Sequence, residues 1–407
     1  MTEYYKIYRS AEFVNRHVEL DAIQSRLRQN TRGAFIFEGE RGAGKTSLMF
    51  EIFRQLSAQK EFTPFFIGLF RYSAPEFEGD KKVWIREEKN GRDNFQPGEM
   101  EALLEQLAGA LGDRPVQTGN SENKTEYLKE YLARDLARNP ASAAPVLLVD
   151  SIYEADENVR TDVEKYIVAP LLASGRVFVI LSGRGKRPVW SRPELQNAEI
   201  AHLLPLKNKE QVREQLEKMK SKRIDEYETT FDLSGGYPLI VRLMGSSDKS
   251  PELALYDALE ILIKDALPEN AQGGQEFDDI RTQIEKLALV QIPFRIPDVE
   301  NYLYELDPGG NTNKLVNTLL KSHILRHEGK GYQLNQSIAR PYQKWLLLAG
   351  QNRERADLMA KLTETSERLQ AQYPAARSWY QQMVPAEGTS GGSESNSSNP
   401  FKARQRA

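Results

Sequence analysis

Cysteine is absent from all 407 residues. Disulfide frameworks, thiolate metal sites and cysteine nucleophiles are excluded together. Histidine is nearly as scarce: His17, His202, His323 and His327 lie scattered, with no HExxH-type ligand spacing. The last two, four residues apart, read as a surface helix end. No run of about eighteen apolar residues occurs, so nothing is long enough to span a bilayer. The polar start, Met1-Thr-Glu-Tyr-Tyr-Lys6, lacks the apolar core of a signal peptide. The cytoplasm is the expected compartment, and no membrane partner is expected. Charge of one sign is not in excess either, since 55 Lys and Arg against 58 Asp and Glu leave a formal net charge of -3. No global basic field therefore drives the chain onto nucleic acid. A repeat with a period of roughly twenty to fifty residues is also missing, which removes solenoids and propellers.

What is present is an alternation of short apolar runs with amphipathic stretches. Val18–Gln29 reads as a helix with Leu20, Ile23 and Leu27 on one face. Ala34–Phe37 reads as a strand, Lys45 to about Lys60 as a helix, and Phe62–Phe70 as a second strand. Ser73–Gly98, polar with a lone Trp84, reads as a long insertion. Helices are expected over Pro97–Leu111 and Asn123–Arg138, then a strand at Val146–Val149 ending in Asp150. Val163–Leu172 follows as a helix and Val177–Leu181 as another strand. Strands without polar alternation, spaced by helices, predict an α/β fold with a parallel sheet covered on both faces.

After Pro205 the pattern becomes helical. Asn208–Tyr227 reads as one charged helix and Phe231–Met244 as another around Ser234-Gly-Gly-Tyr-Pro238. Most of Glu252–His327 reads as helix, and Gly329-Lys-Gly331 separates two short strands of a wing. Trp345 reads as core. Residues 385–407, rich in Ser, Gly and Asn, read as disordered.

The stretch Gly39-Glu-Arg-Gly-Ala-Gly-Lys-Thr46 matches GxxxxGK[ST] at every fixed position, after a strand and before a helix, as the phosphate-binding loop requires. Glycines let backbone N–H groups turn toward phosphate oxygens, and a helix N-terminus adds partial positive charge. Lys45 is expected on the β- and γ-phosphates of ATP, and the Thr46 hydroxyl on Mg²⁺ with Asp150 as the acidic partner. Gly39, Arg41, Gly42, Gly44 and Ser47 complete the expected cofactor-binding loop.

Phe13-Val-Asn-Arg16-His-Val-Glu19-Leu20, Gly39–Thr46, Val146–Asp156, Ile180-Leu-Ser-Gly-Arg184 and Gly235-Gly-Tyr-Pro238-Leu-Ile240 occur in that order. The series resembles the signal-transduction ATPases (STAND class), relatives of the AAA+ family, over about Phe13–Gly245. The resemblance implies a P-loop ATPase domain over 1–205 and a helical lid with a GGxP motif over 206–274. A winged-helix domain over 275–348, a C-terminal helix over 349–384 and a disordered tail over 385–407 are expected to follow. It implies that Val14 and Arg16 border the adenine, that Arg184 senses the γ-phosphate, and that Pro238 packs against the base or ribose.

Two positions depart from the pattern. Asn15 stands where the class has glycine. Ser151 follows Asp150 where AAA+ machines place a catalytic glutamate, leaving Glu154 and Asp156 as substitutes. Serine cannot act as a base at neutral pH, so the expectation is an ATP/ADP switch with slow hydrolysis and catalytic residues Asp150, Glu154 and Arg184. Its expected partners are a second copy of the chain or a separately encoded effector. The alternative is an AAA+ winged-helix protein on DNA, with Asn311–His323 as the recognition helix. Lys314, Lys321 and His323 give that helix few base-reading groups. A nucleotide-binding scaffold without turnover also remains open.

Overall fold

A computed structural model describes residues 8–29, 32–70, 75–86, 95–96, 98–111, 124–138, 143–185, 187–267, 269–290, 312–328 and 331–349. The apolar runs become the strands β1 (Gly33–Gly39), β2 (Phe62–Gly68), β3 (Val83–Ile85), β4 (Ala144–Asp150), β5 (Phe178–Gly183) and β6 (Glu199–Leu203). They form one sheet in the order β3-β2-β4-β5-β1-β6, and each neighbouring pair is parallel.

Side chains alternate between faces along a strand, and the two apolar faces sort accordingly. Phe35, Phe37, Leu148 and Ile180 meet helices α1 (His17–Gln29) and α2 (Lys45–Ser57). Ile36, Leu147, Val149 and Leu181 meet α3 (Glu99–Leu111), α4 (Lys124–Arg138) and α5 (Glu157–Val163) on the other side. Burial on both faces is why these strands lack polar positions.

Several boundaries differ from expectation. The helix expected at Val163 begins at Glu157, where the Asp156 carboxylate accepts from the Asn158 N–H at 3.0 Å as an N-cap. It continues through a π-helical turn, Glu164–Val168, into α6 (Ala169–Ala173). Within the supposed insertion, Trp84 lies on β3, which adds to the edge of β2. β6 was not expected at all; it is an edge strand, largely solvent-facing, and is preceded by the short α7 (Pro193–Gln196). The helix expected over Asn208–Tyr227 ends early, as α8 (Lys209–Lys218), and α9 (Tyr227–Ser234) begins at its expected end. The string Ser234–Pro238 separates α9 from α10 (Pro238–Gly245) rather than lying inside a helix.

The remaining elements are α11 (Pro251–Ala266), α12 (Gly274–Val290), α13 (Thr312–Lys321), the antiparallel hairpin of β7 (Leu325–Glu328) and β8 (Gly331–Leu334), and α14 (Gln336–Ala349). His323 and His327 do not share a helix end. His323 follows α13 with a positive φ of 53°, and His327 lies in β7. The helix expected over 349–384 and the tail over 385–407 lie outside the described residues, apart from Ala349.

One apolar core joins α10, α11, α12, α13, the hairpin and α14, with Leu259, Ile284, Leu319, Tyr342 and Trp345 inside it. It runs unbroken across positions 274 and 275. Leu259 is fully buried at the middle of α11, which packs against α10 and α14. Leu259→Ala is therefore expected to cost about 2–5 kcal/mol in unfolding free energy by opening a cavity. Urea denaturation measures it, and a loss well under 1 kcal/mol, on the order of a surface change, would contradict this packing.

Candidate functional site

β1 ends at Gly39 and α2 begins at Lys45, so the loop between them aims the N-terminus of α2 at the carboxyl edge of the sheet. Gly42 and Gly44 have φ of 76° and 92°, left-handed values that glycine adopts without Cβ strain. This turns successive backbone N–H groups to one side, as phosphate binding requires. Lys45 Nζ donates to the carbonyls of Gly39 at 2.9 Å and Glu40 at 3.0 Å. It is buried, and that desolvation holds its ammonium below the usual lysine value, opposed by the nearby Glu154 and Asp150.

The strand order brings Asp150 to the loop. β5 lies between β1 and β4, so the ends of β1 and β4 flank one further strand end. The Thr46 hydroxyl donates to Asp150 Oδ2 at 2.8 Å, joining residues 104 apart in sequence. Ser151 Oγ donates to the same oxygen at 3.2 Å, and Ser182 Oγ to Asp150 Oδ1. Asp150 has no exposed surface. A carboxyl buried that deeply needs such donors to offset lost hydration. Ser182 was not expected. It sits at the end of β5, two residues before Arg184, and only the sheet order reveals that this position faces Asp150.

The fold is that of a P-loop NTPase. No protein-family model matches the chain, and no curated protein matches it. Solved structures show likeness of shape. The Walker-type ATPase of Pyrococcus abyssi is similar at 14% identity and a TM-score of 0.48, covering 82% of this chain and 97% of that one. A RuvB variant from Thermotoga maritima gives 15% identity and 0.37, over 80% and 93%. Cdc6p from Pyrobaculum aerophilum gives 14% and 0.37, over 83% and 97%. All three scores lie below one-half, so the fold rests on strand order and loop geometry.

Of the two substitute bases, the geometry separates them. Asp156 is spent on capping α5, away from the loop. Glu154 is buried beside Arg184: Arg184 Nε lies 3.2 Å from Glu154 Oε1, and the Arg184 N–H donates to Oε2 at 3.2 Å. Burial pushes the Glu154 carboxyl above the ordinary carboxylate value, while Arg184 and Lys45 oppose that rise. Ser151 has a left-handed φ of 63°. A longer acidic side chain at that position would start from strained backbone.

Residues upstream hold the loop from behind. Asn15 takes a φ of 53°, a region that asparagine tolerates better than most residues, which accounts for its standing in place of glycine. The chain then presents Arg16, whose Nη2 donates to the Ala43 carbonyl at 2.7 Å and to the Leu204 carbonyl at 2.8 Å. Val14 is buried next to it. On the side of α10, a Cβ at Gly44 would lie 3.8 Å from Pro238 Cγ, and the Leu239 N–H donates to the Gly42 carbonyl at 3.2 Å. The structure thus brings Gly39–Ser47, Asp150, Glu154, Arg184, Arg16 and Pro238 around one loop.

Thr46 and Asp150 offer hard oxygen donors of the kind that Mg²⁺ takes alongside water and phosphate. The loop and this oxygen pair therefore fit a nucleotide with Mg²⁺. Among the described residues no group of three or more His, Asp or Glu forms a dedicated metal cage. No helix among them is long and apolar enough to cross a membrane.

The raised Glu154 value has a sign. The native state keeps this proton where the unfolded chain has released it, so the group's contribution to stability is full below about pH 4.3 and is lost as pH rises through the native value. Glu154→Gln removes that dependence. Between about pH 4 and about pH 8, urea unfolding should show wild type losing stability relative to Glu154→Gln as pH rises. A pH-independent difference would show that Glu154 titrates alike in both states.

Proposed function

We propose that this chain is an ATP/ADP-binding switch of the STAND class, within the wider AAA+ group, and that it turns ATP over slowly. The observation that carries the reading is the meeting of Thr46, Asp150 and the loop N–H groups under Pro238 and Leu239 of α10. A phosphate site whose roof is the first turn of a separate helical unit couples occupancy to the placement of that unit. Such coupling is what a two-state element needs from its ligand.

The residue roles follow from their positions. Lys45 neutralises phosphate charge on leaving the Gly39 and Glu40 carbonyls. Thr46 and Asp150 hold Mg²⁺, which when bound supplies Lewis-acid polarisation of phosphate oxygens. Ser182 and Ser151 keep the Asp150 carboxylate fixed. Glu154 is the general base that orients water, and Arg184 beside it is the γ-phosphate sensor. Burial of Glu154 favours its neutral form, which cannot accept a proton from water, and this accounts for slow turnover. Val14 and Arg16 border the base from the other side.

The effector is a second copy of the chain or a separate protein. A DNA-bound AAA+ role draws less support. Lys314 of α13 pairs with Glu276 at 2.8 Å and Arg326 of β7 with Glu40, so two cations of the hairpin region already face acids.

Lys45→Ala should abolish measurable ATP binding by calorimetry; retained affinity would remove the nucleotide assignment. Wild-type turnover is expected below about one per minute, far under the enzyme median of roughly 10 s⁻¹, and Glu154→Gln should lower it further while ATP still binds. Turnover insensitive to that variant would exclude Glu154 as the base. Light scattering after size exclusion decides the switch: the ATP-analogue form should differ in mass from the ADP form. Identical masses in ADP, ATP analogue and no nucleotide would leave only a scaffold.

A further inference from the structure

The phosphate loop carries two charged side chains that its pattern does not demand, Glu40 and Arg41. Both engage the part of the chain that follows the sheet, one through a helix and one through the hairpin. Arg41 Nη2 pairs with Asp265 near the end of α11, and Arg326 Nη1 of β7 pairs with Glu40. The pairs have opposite polarity, so the exchanged arrangement, with Arg41 against Arg326 and Glu40 against Asp265, is repulsive twice over. This fixes one docking register.

Neither pair is a freely solvated surface contact. The Arg41 and Asp265 side chains are 9% and 18% exposed, and those of Arg326 and Glu40 are 31% and 21%. Screening by water and salt is reduced at such sites. Arg326 is held in place by a further bond from Nη2 to Gln333 Oε1 of β8 at 2.9 Å. The backbone adds to the contact: a Cβ at Gly42 would stand 3.1 Å from Leu239 Cβ, so α10 rests directly on the loop.

We propose that these two ion pairs are a latch that polyphosphate competes against. The inference rests on the nucleotide-binding reading above. Guanidinium groups bind carboxylate and phosphate through the same fork of N–H donors. A polyphosphate in the loop offers Arg41 an alternative to Asp265 and Arg326 an alternative to Glu40, with more charge than either carboxylate. Its negative charge also repels Glu40 and Asp265. Linkage makes the competition reciprocal: the latch weakens polyphosphate binding as much as polyphosphate weakens the latch.

The absence of cysteine gives a direct test. Glu157→Cys and Lys344→Cys, both exposed and on opposite sides of the contact, carry spin labels as the only thiols. Pulsed electron resonance on the full chain without ligand should give one narrow distance. The double variant Glu40→Gln/Asp265→Asn, which breaks both pairs and keeps both guanidinium groups, should broaden and lengthen it, with far-UV dichroism confirming an intact fold. Where the double variant does not fold, Asp265→Asn alone is read in the same way. Inorganic tripolyphosphate is the probe for competition. It should shift the wild-type distance as the variant does and bind the double variant about 5–150-fold more tightly than wild type.

An unchanged distance in the folded variant overturns the latch, and so does unchanged or weaker tripolyphosphate binding, because both arginines remain to bind phosphate. If neither ATP nor tripolyphosphate binds wild type, the nucleotide reading and the competition fall together. Binding with unchanged distances overturns the latch alone.

Discussion

Thr46 and Asp150 are joined by one hydrogen bond across 104 residues, and much of the molecule is arranged so that it can form. It requires β1 and β4 to end at the same edge of the sheet, which parallel strands with helical crossovers provide. It also requires β5 between them, because Asp150 has no exposed surface and needs donors on both oxygens. Ser182 at the end of β5 and Thr46 at the start of α2 supply them from either side. The apolar residues that bury these strands on two faces thus also enforce the polar geometry at their ends.

That same edge is where the helical part of the chain docks. The first turn of α10 lies on Gly42 and Gly44, Arg16 holds the Ala43 carbonyl, and Lys45 holds those of Gly39 and Glu40. Four carbonyls of a short loop are therefore held from three directions. A loop tied this way is held in shape jointly by α2, the N-terminal segment and α10. Any ligand that rearranges it acts on all three.

Legibility in the sequence followed local signal strength. The phosphate loop was readable because its pattern is dense and sits between a buried strand and an amphipathic helix. Asp150 was readable because a purely apolar strand ends there. β3 and β6 were not: Val83–Ile85 is three residues long, and Glu199–Leu203 is an edge strand whose exposed positions blur the pattern. The break between α8 and α9 escaped notice because Lys218–Arg223 keeps the charged composition of a helix surface while Lys220 turns to a φ of 53°. Ser182 and the partners of Glu40 and Arg41 were out of reach altogether. Their contacts join segments tens to hundreds of residues apart, and no periodicity encodes which strand lies between which.

The two departures from the pattern of the resembled class are of different kinds. Asn15 is conservative in conformation, since it reaches the left-handed φ that glycine would supply. Ser151 is a change of chemistry. Its Oγ donates back to Asp150 and its backbone is left-handed, so the residue after Asp150 serves that aspartate. The nearest acid, Glu154, is buried against Arg184, where burial favours its neutral form and the guanidinium opposes that. Water activation then depends on this pair, because burial favours the neutral carboxyl and only the ionised form can accept a proton from water. On the proposed roles, a γ-phosphate that drew Arg184 away would remove the charge that opposes protonation and leave Glu154 more neutral still. On that reading the arginine proposed to sense the phosphate also sets the protonation of the proposed base, so binding and turnover would be coupled through one ion pair.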